Sequence, residues 1–265
     1  LFFIIYSGFS SPAVIKPHAS ESKGVGMSKD EQEYSLSGDP IFRYTDGEKE
    51  WQSPMGEECI VQISEHIERH IGEVTWVFHE VISDTVHIDV HYVAPTDERP
   101  FHTLVTSGMS DLPMSTPEEA DIPRFMELMI TLPAYWQISQ EAFSDEKWYW
   151  PVRQLKFLAR FPHKYDSWLG WGHTIPNGDP AEPFAENTRQ NGMIVLPSLL
   201  LDDAFHTLEI DRDKCINFYS LVPLYEEEMM LKLEQGSDAL LELFDKYQVS
   251  DLVDVARINV VTGRK

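Results

Sequence analysis

The side chains with the most chemical potential stand together in His87-Ile88-Asp89-Val90-His91. Period-two alternation places His87, Asp89 and His91 on one face of an extended strand, and imidazoles beside a carboxylate can ligate a divalent metal. His102 stands on the following apolar run and could add a further ligand from a neighbouring strand. Such a centre would activate water for metal-assisted hydrolysis, with Ser110 as an outside candidate for a nucleophile. The same pattern equally describes a polar strand face hydrogen-bonded to loops.

Other chemical motifs are incomplete. Gly108-Met109-Ser110-Asp111 matches half of a nucleophile elbow, but Leu112 takes the place of the second glycine, which normally relieves a strained turn. Gly170-Trp171-Gly172 has Ile175 where a dinucleotide fingerprint needs its third glycine. His66 and His70 share a helix face, yet Glu does not directly follow the first His as in zinc proteases, so a solvated polar face opposite an Ile stripe describes them better. Glu226, Glu227 and Glu228 open a helix, where the macrodipole favours negative charge. No complete catalytic motif is present, and no cofactor is expected.

Elements that could position these residues are legible around them. Ser53-Pro54 starts a helix with Ile60, Ile63, Ile67 and Ile71 at helical spacing up to Gly72. Thr75 to Val81 reads as a strand, Val86 to Tyr92 as a half-buried strand, and Phe101 to Thr106 as its antiparallel neighbour across Pro95–Pro100. Thr116-Pro117-Glu118-Glu119 forms a capping box, Met126 to Leu132 another strand, and Pro151 opens a helix that Pro162 closes. Residues 163–190 read as a long ordered loop. Further strands follow at Ile194–Leu201 and Lys214–Val222, then helices at Tyr225–Gln235 and from Ser237. The expected class is α/β (α+β), a single domain with a mixed, mostly antiparallel sheet covered by helices. Residues 1–26 read as a disordered leader or upstream translated segment, and 27–265 as the domain.

Charge narrows the partner. Asp and Glu number 44 against 21 Lys and Arg, a formal net charge of -23. That field repels nucleic acid and anionic membrane surfaces and attracts basic proteins, although acidity also serves solubility. Cys59 and Cys215 are too few for a disulfide scaffold, which fits a reducing cytoplasm. No stretch is long enough to span a bilayer.

Several separated motifs, in order, resemble the bacterial suppressor of fused-like domain. They are His87-Ile88-Asp89-Val90, Pro95-Thr96, Arg99-Pro100-Phe101 and Leu104 through Ser110. Leu132-Pro133 with Trp136, Trp150-Pro151 with Leu155-Lys156, and Ala159-Arg160-Phe161-Pro162 continue the likeness. Gly172-His173-Thr174 and Leu221-Val222-Pro223-Leu224, then Glu227 and Gly236, complete it over roughly residues 57–246. The resemblance implies a non-enzymatic, protein-binding α/β domain. In that family the animal relative restrains a transcription factor by clamping an extended peptide, and bacterial members are proposed as immunity proteins against toxins.

Resemblance and charge together lead to the expectation of a cytoplasmic immunity, antitoxin-type or regulatory protein that binds a basic partner. The expected partner-binding residues are His87, Asp89, Thr106, Gly108, Met109, Ser110 and His173. The alternative is the metal-assisted hydrolase on His87, Asp89, His91 and His102.

Overall fold

The computed structural model describes residues 2–6, 32–45, 59–79, 86–117 and 122–264. Among them the strands are β1 (Phe2–Tyr6), β2 (Glu33–Tyr34), β3 (Pro40–Thr45), β4 (Val74–Phe78), β5 (Asp89–Val93) and β6 (Phe101–Ser107). They continue with β7 (Phe125–Pro133), β8 (Thr174–Pro176), β9 (Gly192–Leu196), β10 (Thr207–Glu209) and β11 (Cys215–Leu224). The helices are α1 (Ile60–His70), α2 (Glu146–Tyr165), α3 (Glu226–Gln235) and α4 (Ser237–Tyr247).

All the strands join one sheet in the order β2-β3-β1-β8-β9-β11-β7-β6-β5-β4, with β10 beside β11. Every named pairing is antiparallel except β11 with β7, which run parallel from Ile216↔Phe125 to Ser220↔Met129. The expected fold class is therefore the observed one. Strand alternation decides what each sheet face meets. Val90, Tyr92, Leu104, Leu128, Ile130 and Leu132 pack against Trp150, Leu155, Leu158 and Phe161 of α2. Val93, Val105, Met129, Ile216 and Phe218 point the other way, onto Ile63 and Ile67 of α1 and onto Phe205. Farther along that second face, Ile194, Val222 and Leu224 meet Met229, Leu240 and Phe244 of α3 and α4. Full burial of an aliphatic side chain contributes about 1.5–3 kcal/mol, so α1 is held chiefly by its Ile stripe.

Covering both faces corrects the half-buried reading of the Val86–Tyr92 strand, because all five residues of β5 are buried. It also corrects the solvated reading of His66. That imidazole is buried, stacks on Phe205 and Phe218, and bonds through Nε2 to the Phe205 carbonyl at 2.9 Å.

Helix α2 begins earlier than Pro151. Asp145 caps it, its side chain accepting the Lys147 N–H at 3.0 Å. Pro151 then lies inside the helix and cannot donate to the Lys147 carbonyl. Asn187 Nδ2 donates to that carbonyl instead, at 3.3 Å. The helix also runs past Pro162 to a left-handed Asp166 at φ 48°.

Strand β1 pairs with β3 along Phe2↔Thr45 to Tyr6↔Ile41 and meets β8 at Tyr6↔Thr174. The sheet therefore includes a segment that the sequence reading places in the leader, since composition alone cannot show pairing across the Ser-, Pro- and Gly-containing residues that follow it. The Ser53-Pro54 helix start, and Glu118 and Glu119 of the capping box, lie outside the described residues. No helix among the described residues is long and apolar enough to cross a membrane.

Candidate functional site

The β5–β6 hairpin positions the first group of residues. Asp89 stands in register with Ser107, and the β4–β5 ladder ends at Phe78↔Val90. One residue beyond that ladder, His79 reaches Asp89 Oδ2 through Nδ1 at 2.8 Å. His87 Nε2 lies 3.0 Å from Asp89 Oδ1. Both oxygens of a nearly buried carboxylate thus meet imidazoles, and these lie nearer solvent, with side-chain exposures of 65% for His79 and 26% for His87. His79 was not among the sequence candidates, because its place beside Asp89 depends on strand register.

The turn after β6 is packed against this corner. Gly108 adopts φ 99°, and a Cβ there would stand 1.9 Å from the His87 carbonyl oxygen. Only glycine allows β6 to leave the sheet so close to the backbone before β5. Backbone pairing of β6 with β7 runs from Phe101↔Pro133 to Val105↔Met129, beyond which side chains connect the strands. The Thr106 hydroxyl accepts the Leu128 N–H at 2.8 Å and donates to Glu127 Oε2 at 2.6 Å. Ser110 donates both its N–H, at 2.9 Å, and its hydroxyl, at 2.6 Å, to Glu127 Oε1. His163 of α2 donates from Nε2 to the Met109 carbonyl at 2.8 Å. Glu127, a charged residue inside the apolar run of β7, therefore organises the turn; that mismatch of type and pattern was its available sequence signal.

This geometry changes the role of most predicted contacts. Thr106, Gly108, Met109 and Ser110 are buried, so they shape the turn from inside and do not present a recognition surface. Ser110 faces a carboxylate and, among the described residues, has no imidazole on its hydroxyl, unlike an activated nucleophile. His173 is also fully buried, and strand β8, which it precedes, lies five places from β5 in the sheet. Neither ring nitrogen of His173 meets a polar partner among the described residues. Of the seven expected contacts, His87 retains substantial exposure, with Asp89 directly beneath it.

Nor is the four-residue metal set brought together. His91 Nε2 bonds to Ser107 Oγ at 2.9 Å. His102 belongs to the opposite sheet face, stacked on Tyr92, with Nδ1 2.8 Å from the Tyr92 hydroxyl and Nε2 3.2 Å from the Ala134 carbonyl. Among the described residues no group of three or more His, Cys, Asp or Glu side chains is arranged to hold a metal ion.

Burial shifts the interior groups in opposing directions. It pushes His91 down to about 4, against the attraction of Asp89, and His173 down to about 3, aided by Lys232. It pushes Glu127 up to about 7 despite the hydrogen bonds from Ser110 and Thr106. As pH falls below 6.5 the unfolded chain takes up protons before these histidines do, so stability is lost toward about 4 for His91 and about 3 for His173. Glu127 has the opposite sign: its contribution is full below pH 4.5 and lost as pH rises through about 7. Glu127→Gln should therefore steepen the acid loss between pH 7 and 4.5, whereas His173→Leu should flatten the loss below 6.5. Urea denaturation across this pH series checks both; variant profiles parallel to the parent's would contradict the assignment.

Residues 84–258 match the family model for Suppressor of fused protein (SUFU). A crystal structure from Neisseria gonorrhoeae FA 1090, assigned as a SUFU homologue, is similar over 76% of this chain and 95% of its own, with TM-score 0.54 and 16% identity. The crystal structure of a Sufu–Fu complex is similar over 80% of this chain and 94% of the compared chain, with TM-score 0.52 and 12% identity. No curated protein sequence matches the chain.

Proposed function

The chain belongs to the suppressor of fused protein family, and from that premise we propose that it is a cytoplasmic, non-enzymatic module that captures a basic partner protein in an immunity or regulatory role. The net charge of -23 carries this reading. An acidic surface accelerates encounter with a basic protein and mimics the polyanion that a nucleic-acid-cleaving toxin prefers. Support for a protein as the ligand comes from the structural neighbour crystallised as a Sufu–Fu complex. The corner of His79, His87 and Asp89 offers polar groups where β4 and β5 pair, suited to orienting a partner.

Affinity capture with the tagged full chain from cells of its source organism tests this reading. The expected result is one stoichiometric, basic protein that is progressively released as salt rises, because screening weakens attraction between surface charges. Recovery of no stoichiometric protein, or of an acidic one held independently of salt, would overturn it.

A further inference from the structure

An apolar groove with an acidic rim lies on a different element, helix α3. Its apolar surface comes from Met230, Leu231 and Val261, and its rim from Glu226, Glu227 and Glu234. Met230 and Val261 are 47% and 41% exposed, large values for apolar side chains set side by side. The opposite wall is fixed in place. Arg257 grips the buried Glu228 of α3, the Val260 N–H donates to Glu228, and Asn259 Nδ2 donates to Glu227 at 2.7 Å.

Glu234 is informative because it sits in the last turn of α3, where the negative end of the helix dipole disfavours a carboxylate. Neither Glu226 nor Glu234 has an ion-pair partner among the described residues. Local helix stability therefore does not account for Glu234, whereas a cation arriving from outside would.

The backbone N–H groups around the groove are already used. Helix α3 satisfies its own interior groups, and the opposite wall closes through Asn259 N–H to the Arg264 carbonyl and Gly263 N–H to the Asn259 carbonyl. Val261 and Thr262 donate to Asn259 Oδ1. A surface whose backbone donors are spent cannot form a full strand ladder with a partner, so it suits the face of a helix better than an extended strand. Glu227 and Glu234 are seven residues apart, about 10.5 Å along the axis, matching cations two turns apart on a second helix. A second copy of this chain would bring another charge of -23, and an anionic membrane would also be repelled.

We infer that this groove docks an amphipathic, basic helix of a partner protein, with aliphatic side chains against Met230 and Val261 and Lys or Arg opposite Glu226, Glu227 and Glu234. The inference rests on the protein-binding reading and gives it a second contact surface, separate from the His79–His87–Asp89 corner.

The probe is a synthetic helical peptide with paired leucines flanked by lysines seven positions apart, compared with a scrambled peptide of identical composition. Fluorescence anisotropy with the full chain should show the ordered peptide binding roughly tenfold more tightly than the scrambled one. Glu226→Gln with Glu234→Gln should weaken the ordered peptide roughly tenfold, whereas the equal charge change Asp97→Asn with Glu98→Gln should alter it less than about twofold. No binding of the ordered peptide, equal binding of the scrambled one, or equal loss from the control pair would overturn the groove. If a captured native partner still binds the Glu226→Gln/Glu234→Gln protein undiminished, the groove fails while the general binding reading stands.

Discussion

Gly108→Ala is expected to remove upward of roughly 4 kcal/mol of stability, enough to leave a marginal domain largely unfolded. The new Cβ would lie 1.9 Å from the His87 carbonyl oxygen and 3.1 Å from its carbonyl carbon. Both are backbone atoms, so no rotamer change relieves the contact. The residue also adopts φ 99°, which is itself costly for an L side chain. To make room, the turn would have to lift away from His87, pulling Ser110 from Glu127 and disturbing Ser107 opposite Asp89. The buried carboxylate would then lose hydrogen bonds that partly offset its desolvation. Circular dichroism and chemical denaturation measure the effect; a loss below about 1 kcal/mol would show that the turn does not press on the β5 hairpin as described.

Arg257→Ala is the second large effect, expected to cost about 3–5 kcal/mol because it leaves a buried charge without its ionic partner. The Glu228 side chain is 0% exposed and Arg257 only 10%, and their closest contact is 2.5 Å. Arg257 also donates to the Pro223 carbonyl at 2.8 Å and lies over the rings of Tyr225 and Phe244. One side chain thus joins the end of β11, the start of α3, helix α4 and the C-terminal segment. Arg257→Lys should recover only part of the loss, because an ammonium cannot reproduce the planar two-nitrogen grip. Adding Glu228→Gln to Arg257→Ala should recover another part by removing the stranded charge. A double-mutant cycle reads this coupling, and strict additivity would contradict the buried pair.

Local patterns carried much of this architecture, while long-range pairing did not. The alternation of Val86, Ile88, Val90 and Tyr92 correctly marked the face that meets α2. Nothing local indicated that the other face would be covered as well, which is why Asp89 and His91 read as surface groups yet lie inside. Likewise, His102 follows the metal-like run closely in sequence, but strand register turns it to the opposite face with Tyr92. His79 stands far from Asp89 in local pattern, yet the edge ladder brings them together. The order of motifs from His87 to Pro223 identified the family because it samples elements throughout the sheet. It did not distinguish residues that build the turn from residues available to a partner: Thr106, Met109 and Ser110 belong to the first kind.

The most direct test is the association rate between the full chain and its captured partner, measured by stopped-flow across increasing ionic strength. Binding of a basic protein by a chain carrying -23 charges predicts fast association at low salt that slows steeply as the charges are screened. A rate that remains unchanged across the series would contradict electrostatic capture of a basic partner.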